Sequence, residues 1–122
     1  MRTTRLKKVV ADAVADAKGV NVVWLDVRKQ TDITDYMVVV SGTSSRHVKS
    51  VAERVIEFCQ KAGQKPVGVE GIEDGEWVLI DLADIVVHAM LPRARDFYDL
   101  ERLWGLGTRS DGSSREDGSL PA

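Results

Sequence analysis

The 122-residue sequence predicts a single α/β domain in which helices cover a mixed, five-stranded sheet. Stretches with helical apolar spacing and short β-branched runs follow one another in the order α-β-β-α-β-β-β-α. A long helix links the second strand to the third, and a crossover of this kind requires a parallel pair. Short connections link other strands and produce antiparallel hairpins, so we expect both kinds of pairing in one sheet.

The N-terminal part of the chain predicts one helix and two strands. Apolar residues recur at helical spacing from Leu6 to Ala17, which predicts a helix over 3–18. The run 22–27 is almost entirely apolar, so we expect a strand that is buried on both faces. The run 35–41 predicts the second strand.

The central helix has the strongest amphipathic pattern in the chain and lies between turns at Gly42 and Gly63. Either Thr43 or Ser44 is expected to cap its N-terminus, because a hydroxyl oxygen there accepts a hydrogen bond from the first turn. The third strand is predicted at 66–70, and the crossover predicts that it is parallel to the second strand.

The C-terminal part of the domain predicts a hairpin followed by a helix. Two residues separate the runs 77–82 and 85–90, so these runs are expected to pair as antiparallel strands. A last helix is predicted over 93–104. Beyond it, polar residues and glycine predict a disordered tail at 106–122, which leaves 1–105 as the folded domain.

Charge and composition exclude several classes of protein. The formal net charge is −2, so a general attraction to phosphate backbones is absent and we expect little direct contact with nucleic acid. No apolar run reaches the roughly 18 residues that span a bilayer, and we expect no membrane contact. Cys59 is the single cysteine, which excludes an internal disulfide and favours a reducing, cytoplasmic setting.

Two patterns leave an enzymatic alternative open, namely a metal-dependent nucleotidyltransferase. The segment 42–45 lies at a strand-to-helix turn that can bind phosphate, although a helix cap explains it equally well. Asp81 and Asp84 form an acidic pair that can hold Mg²⁺, although turn chemistry explains Asp84. His47 has no paired ligand in the sequence and is interpreted as a surface residue.

The fourth strand predicts an aromatic interaction surface. Strand alternation places Trp77, Leu79 and Asp81 on one face and the apolar Val78 and Ile80 on the other. If the second set is core, the first forms an exposed stripe with an aromatic anchor of the kind enriched at interface hot spots. A homodimer that buries this stripe against itself is the second alternative.

The fifth strand leaves one histidine open to two interpretations. His88 alternates to the same face as Met90. It is predicted to be either a hydrogen-bonded core histidine or part of the binding surface.

Five stretches in order closely resemble the ribosomal silencing factor family, also called the Iojap family, and the resemblance covers residues 3–105. They are Asp32–Tyr36, Ser41–Val48, Val69–Gly71, Trp77–His88 and Arg95–Trp104. The resemblance implies a nucleotidyltransferase-like fold without catalysis, and so neither a cofactor nor a metal. The paired D-x-D aspartates that follow the Gly-Ser turn in the related enzymes are absent here.

The resemblance also implies a partner and an action. Family members bind the large ribosomal subunit through the ribosomal protein numbered fourteen in the universal scheme, on the face where the small subunit docks. A bound factor blocks subunit joining and lowers translation when nutrients are short. On this basis we expect a non-enzymatic repressor, with a homodimer as a further form. The candidate contacts with the partner are Trp77, Leu79, Asp81, His88, Met90, Arg95 and Tyr98.

Overall fold

A computed structural model describes the backbone of residues 2–98 and the side chains of residues 2–95. The predicted element order is confirmed over this range. The elements are α1 (Thr3–Asp16), β1 (Val20–Asp26), β2 (Tyr36–Ser41), α2 (Ser45–Lys61), β3 (Gly68–Glu70), β4 (Trp77–Asp81), β5 (Ile85–Met90) and α3 (Pro92–Tyr98). The predicted continuation of the last helix to residue 104 and the tail at 106–122 lie outside the described residues.

The five strands form one mixed sheet in the order β1-β2-β5-β4-β3. The predicted hairpin of β4 with β5 is confirmed, and β1 with β2 and β3 with β4 are also antiparallel pairs. The parallel partner of β2 was wrongly predicted: it is β5, not β3. After α2 the chain crosses to the far edge, and β4 and β5 then fold back to fill the space beside β2. The crossover thus fixes the direction of β3 but not its neighbour.

One face of the sheet, here called the α1–α2 face, carries the main hydrophobic core. Valines of β2 and alternate residues of β4 and β5 meet the apolar stripes of both helices there. Val78 and Ile80 are fully buried in this core, as strand alternation predicted. An ion pair between Arg54 of α2 and Asp16 of α1 joins the two helices at the surface.

The opposite face, here called the α3 face, carries a smaller cluster. Its buried members are Leu25, Val27, Met37, Val39 and Met90. Trp77 of β4 and Ala94 of α3 pack against this cluster and are themselves half-buried. The two faces of β4 therefore differ, because one contributes to the main core and the other carries an aromatic residue at its margin.

The strand β1 is not buried on both faces, contrary to the prediction. It lies at the edge of the sheet, where Val20 and Val22 are 36% and 39% exposed. Its pairing with β2 is irregular between Val20 and Val23, and Asn21 there has a positive φ of 52°. Such a bulge twists an edge strand and hinders pairing with another chain. Composition alone does not distinguish an edge strand from a central one.

Within residues 2–98, none of the helices is long and apolar enough to cross a bilayer.

Candidate functional site

The predicted aromatic stripe on β4 lies on the α3 face. Trp77, Leu79 and Asp81 are each half-buried, whereas the residues between them are fully buried. Leu79 is paired across the strands with His88, and Trp77 with Met90. The residues of β4 that sequence alternation placed on one face are therefore brought together with the two candidate residues of β5.

The indole ring of Trp77 is held by His88. The indole Nε1–H donates a hydrogen bond to Nδ1 of His88 at 2.9 Å, and the ring centroids are 5.9 Å apart. His88 is 5% exposed, which identifies it as a hydrogen-bonded residue beneath the surface. Because Nδ1 accepts this bond, the proton of the neutral imidazole is on Nε2. Burial lowers the pKa of His88 to about 4, so the ring is neutral near pH 7.

Met90 and Arg95, two of the candidate contacts, are buried in this structure. Met90 is 0% exposed and lies opposite the strand residue Trp77 in the second cluster. Arg95 is 8% exposed, and its Nη1 donates to Oγ of Ser41 at 2.8 Å. A strand pattern predicts which face a residue lies on but not how deeply the neighbouring helix covers it. The backbone of Tyr98 is in α3, and its side chain lies outside the described residues.

A charged rim lies beside Trp77 and was not among the candidate residues. Arg93 of α3 and Glu76, which precedes Trp77, form an exposed ion pair of 3.1 Å. The backbone carbonyl of Glu76 also accepts a hydrogen bond from Leu91 N–H. An exposed pair of this kind contributes little to stability, but charges at a rim can orient a partner. Arg93 and Glu76 are 17 positions apart in the sequence, so their pairing becomes evident only in the folded structure.

The two carboxylates of the acidic pair each accept a hydrogen bond from within the chain. Asp81 Oδ1 accepts a hydrogen bond from Ala83 N–H at 2.9 Å, within the β4–β5 turn. Asp84 Oδ2 accepts a hydrogen bond from the hydroxyl of Thr3, at the start of α1. Among the described residues, no cluster of three or more metal-ligating side chains is present. These two carboxylates therefore stabilise a hairpin and a helix start.

The Gly-Thr-Ser turn before α2 is explained by packing and capping. A Cβ at Gly42 would lie 2.7 Å from the backbone nitrogen of Val48, so the helix requires glycine there. Ser44 is the N-cap, as one of the two predicted alternatives, because its side chain accepts a hydrogen bond from His47 N–H. Thr43 N–H donates to Nδ1 of His47 at 2.9 Å. Two backbone donors of this turn, the N–H groups of Thr43 and His47, are thus engaged within the chain.

His47 is half-buried rather than a simple surface residue. Its Nε2 lies 2.9 Å from the carbonyl oxygen of Ala17 at the end of α1. With Nδ1 accepting from Thr43, the ring proton is on Nε2 and is donated to Ala17. His47 thereby joins the ends of two helices. The contact spans 30 positions in the sequence, so no local pattern could indicate it.

Comparison with known proteins gives a consistent result. The family model described as "Ribosomal silencing factor during starvation" matches residues 1–121. The ribosomal silencing factor RsfS of Chromobacterium violaceum is 45% identical over 105 residues, which is 86% of each protein. That of Haemophilus influenzae is 39% identical over 99 residues, 81% of this chain and 97% of the relative.

More distant and structural comparisons agree with these. A mouse protein named "Mitochondrial assembly of ribosomal large subunit protein 1" is 34% identical over 90 residues, 71% of this chain and 40% of that protein. A crystal structure of a Chromobacterium violaceum protein superposes with a TM-score of 0.84 at 39% identity. The superposition covers 100% of this chain and 96% of the other.

Proposed function

The chain belongs to the ribosomal silencing factor family, and from that membership we propose that it binds the large ribosomal subunit and keeps the small subunit from joining. The silencing named in the family and the ribosomal large subunit named for the mouse relative support this proposal. We propose further that the contact is with the ribosomal protein numbered fourteen in the universal scheme, that silencing operates during starvation, and that the action is steric, without catalysis.

The observation that carries the proposal is that Trp77 is half-buried and that its ring is held in place by a hydrogen bond. A half-buried tryptophan presents apolar area, and a fixed ring loses little conformational freedom when a partner binds. His88 fixes the indole nitrogen, and the cluster around Met90 lies beneath the ring. We therefore assign the direct contacts to Trp77, Leu79 and Asp81. His88 and Met90 support Trp77 from below, and Arg95 is held against Ser41 of β2.

The charged pair beside the anchor gives the surface an orientation. Arg93 and Glu76 are 76% and 60% exposed in their side chains, so a partner with complementary charges can meet them at the rim. Rim charges affect association rate and register more than affinity. This arrangement favours a folded protein partner over a small substrate, because it combines an aromatic stripe along a strand with a charged rim.

The test is co-sedimentation of the purified protein with isolated large and small subunits. We expect binding to the large subunit and loss of binding in Trp77→Ala, because removal of a central aromatic anchor costs about 2–4 kcal/mol, or roughly 30-fold to 1000-fold in affinity. Thermal unfolding must show that the variant is folded. The matched control is Trp24→Ala, an equal truncation on the opposite face, which should still bind.

Three outcomes would contradict the proposal. Binding to small subunits alone would contradict the choice of subunit. A folded Trp77→Ala variant with normal binding would show that the anchor is elsewhere. Concentration-dependent self-association that is lost in Trp77→Ala, without any subunit binding, would instead support a homodimer on this surface.

A further inference from the structure

A second surface feature is a groove at the far end of the sheet from Trp77. It has a volume of about 400 Å³ and is lined by Lys7, Lys8, Ala11, Trp24, Asp26 and Tyr36. Tyr36 pairs with the first residue of β5, whereas Trp77 pairs with its last. The two aromatic residues of the groove pack with the α1–α2 core, on the face opposite Trp77. The groove is thus separate from the proposed subunit-binding surface.

The groove combines aromatic rings with cations. Lys7 Nζ lies 4.3 Å from the centroid of the Tyr36 ring and 5.9 Å from that of Trp24. The guanidinium carbon of Arg28 lies 5.3 Å from the Tyr36 ring centroid. Both rings are half-buried, so each is held by the core and still has accessible surface. Held rings of this kind are the platforms on which nucleic-acid bases stack.

The charges of the groove favour an anion. Lys7, Lys8 and Arg28 place three positive charges around the rings. Lys8 pairs with Asp12 at 3.3 Å and Arg28 with Asp26, so the five side chains together keep a net charge of one positive unit. Asp26 is the acidic residue of the lining, and Arg28 neutralises it through two hydrogen bonds of 2.9 and 2.6 Å. These bonds hold the pKa of Asp26 at about 2, so the pair persists throughout the physiological range. A Lys7 side chain displaced from the rings by a ligand would remain within reach of that ligand's phosphate.

We propose that this groove binds a nucleotide, with the base stacked on Tyr36 and Trp24 and the phosphate paired with Lys7 and Lys8. An aromatic ligand without a negative charge would displace Lys7 from the rings and offer it no counter-charge. A purely anionic ligand would leave the two rings unused. A base joined to a phosphate would contact both the aromatic rings and the lysines. The volume of the groove also falls in the range of small-molecule sites.

The test is calorimetric titration of the full chain with adenosine monophosphate, adenosine and ribose 5-phosphate. We expect adenosine monophosphate to bind at least fivefold more tightly than either fragment, because stacking and the phosphate contact each contribute to the complex. Absence of saturable binding up to about 10 mM would overturn the proposal. Equal affinity for ribose 5-phosphate would overturn the stacking, and equal affinity for adenosine would overturn the phosphate contact.

Matched lysine variants locate the site. Lys7→Gln keeps most of the side-chain stem and removes the charge, and it should weaken adenosine monophosphate binding at least fivefold. Lys61→Gln changes an exposed lysine of α2 that pairs with Glu57, and it should have no effect. Equal affinities of the two variants would show that the nucleotide binds elsewhere. Trp77→Ala should leave nucleotide affinity unchanged, which separates this test from that of subunit binding.

A free nucleotide and a nucleotide within single-stranded RNA share this chemistry. Titration with a short oligoadenylate distinguishes them. Tighter binding than the mononucleotide, with affinity that falls steeply as salt rises, would support an RNA strand as the source. Affinity no greater than that of the mononucleotide would support a free nucleotide.

Discussion

The hydrogen bond from Trp77 to His88 determines which part of the indole ring a partner can use. The N–H is engaged by the imidazole, so we expect a partner to meet ring carbons and to offer an apolar or cationic pocket. Sequence alternation predicted the face of both residues. It left open whether His88 was core or surface, because the answer depends on a cross-strand contact.

Replacement of His88 separates its acceptor role from its volume. In His88→Phe the indole N–H loses its acceptor, and leaving such a donor without a partner costs about 1–3 kcal/mol. His88→Asn places an amide oxygen near the position of Nδ1 and should restore the bond. We expect weaker large-subunit binding in the Phe variant than in the Asn variant, with the indole N–H resonance in NMR spectra reporting the bond. Identical binding by both would show that the bond does not orient the ring.

The depressed pKa of His88 predicts a dependence of stability on pH. In the unfolded chain the imidazole of His88 takes up a proton near pH 6.5, whereas in the folded chain it does so only near pH 4. The contribution of neutral, buried His88 to the free energy of unfolding is therefore complete above pH 6.5. It is lost as the pH falls towards 4, by about 3 kcal/mol in all. Urea unfolding at several pH values should show a steeper loss in the native chain than in His88→Asn. Parallel curves would indicate that folding does not shift the pKa of His88.

At the scale of elements, the β3–β4 loop sets the position of Trp77. Gly71 has a φ of +82°, and a Cβ there would overlap the carbonyl oxygen of Trp77. The loop also approaches the start of α2, since a Cβ at Gly75 would lie 2.6 Å from Ser45 O. The first residue of β4 is thus held by backbone contacts on the loop side and by His88 on the strand side.

Alanine at Gly71 should therefore displace Trp77 as well as strain the backbone. The matched control is Gly63→Ala, where φ is +90° but no atom lies within 4 Å of the added Cβ. We expect the control to cost about 1 kcal/mol of stability from the positive φ, and Gly71→Ala to cost about 1–3 kcal/mol more from overlap. Denaturant unfolding measures both. Equal losses of unfolding free energy in the two variants would mean that the loop adjusts to the added Cβ without displacing β4.

Elements defined by local signals were predicted closely, and those defined by distant contacts were not. The Ser44 cap and the alternation around Val78 each depend on neighbours in sequence. The edge position of β1, the pairing of β2 with β5 and the burial of Arg95 depend on which element lies alongside, which periodicity does not encode. The same holds for the groove at Tyr36, which α1 completes from another part of the chain.

At the scale of the whole molecule, the division into a domain at 1–105 and a tail at 106–122 remains a prediction. The tail carries two arginines against three acidic residues and has no apolar stripe. We expect a chain that ends at residue 105 to keep its unfolding temperature and its binding to large subunits. A loss of several degrees in the melting temperature, measured by circular dichroism, would show that the tail packs on the domain.

The central position of β5 has a consequence for the order of folding. The hairpin of β1 with β2 and that of β4 with β5 each join neighbours in the chain, whereas the β2–β5 ladder joins segments from the two halves of the sequence. Contacts of such long sequence separation slow folding, because a large loop closes before they form. On the ribosome, a nascent chain that has not yet exposed β5 can form only the β1–β2 and β3–β4 pairs, which β5 joins into one sheet. The surface around Trp77 therefore forms only after nearly the whole domain has been synthesised.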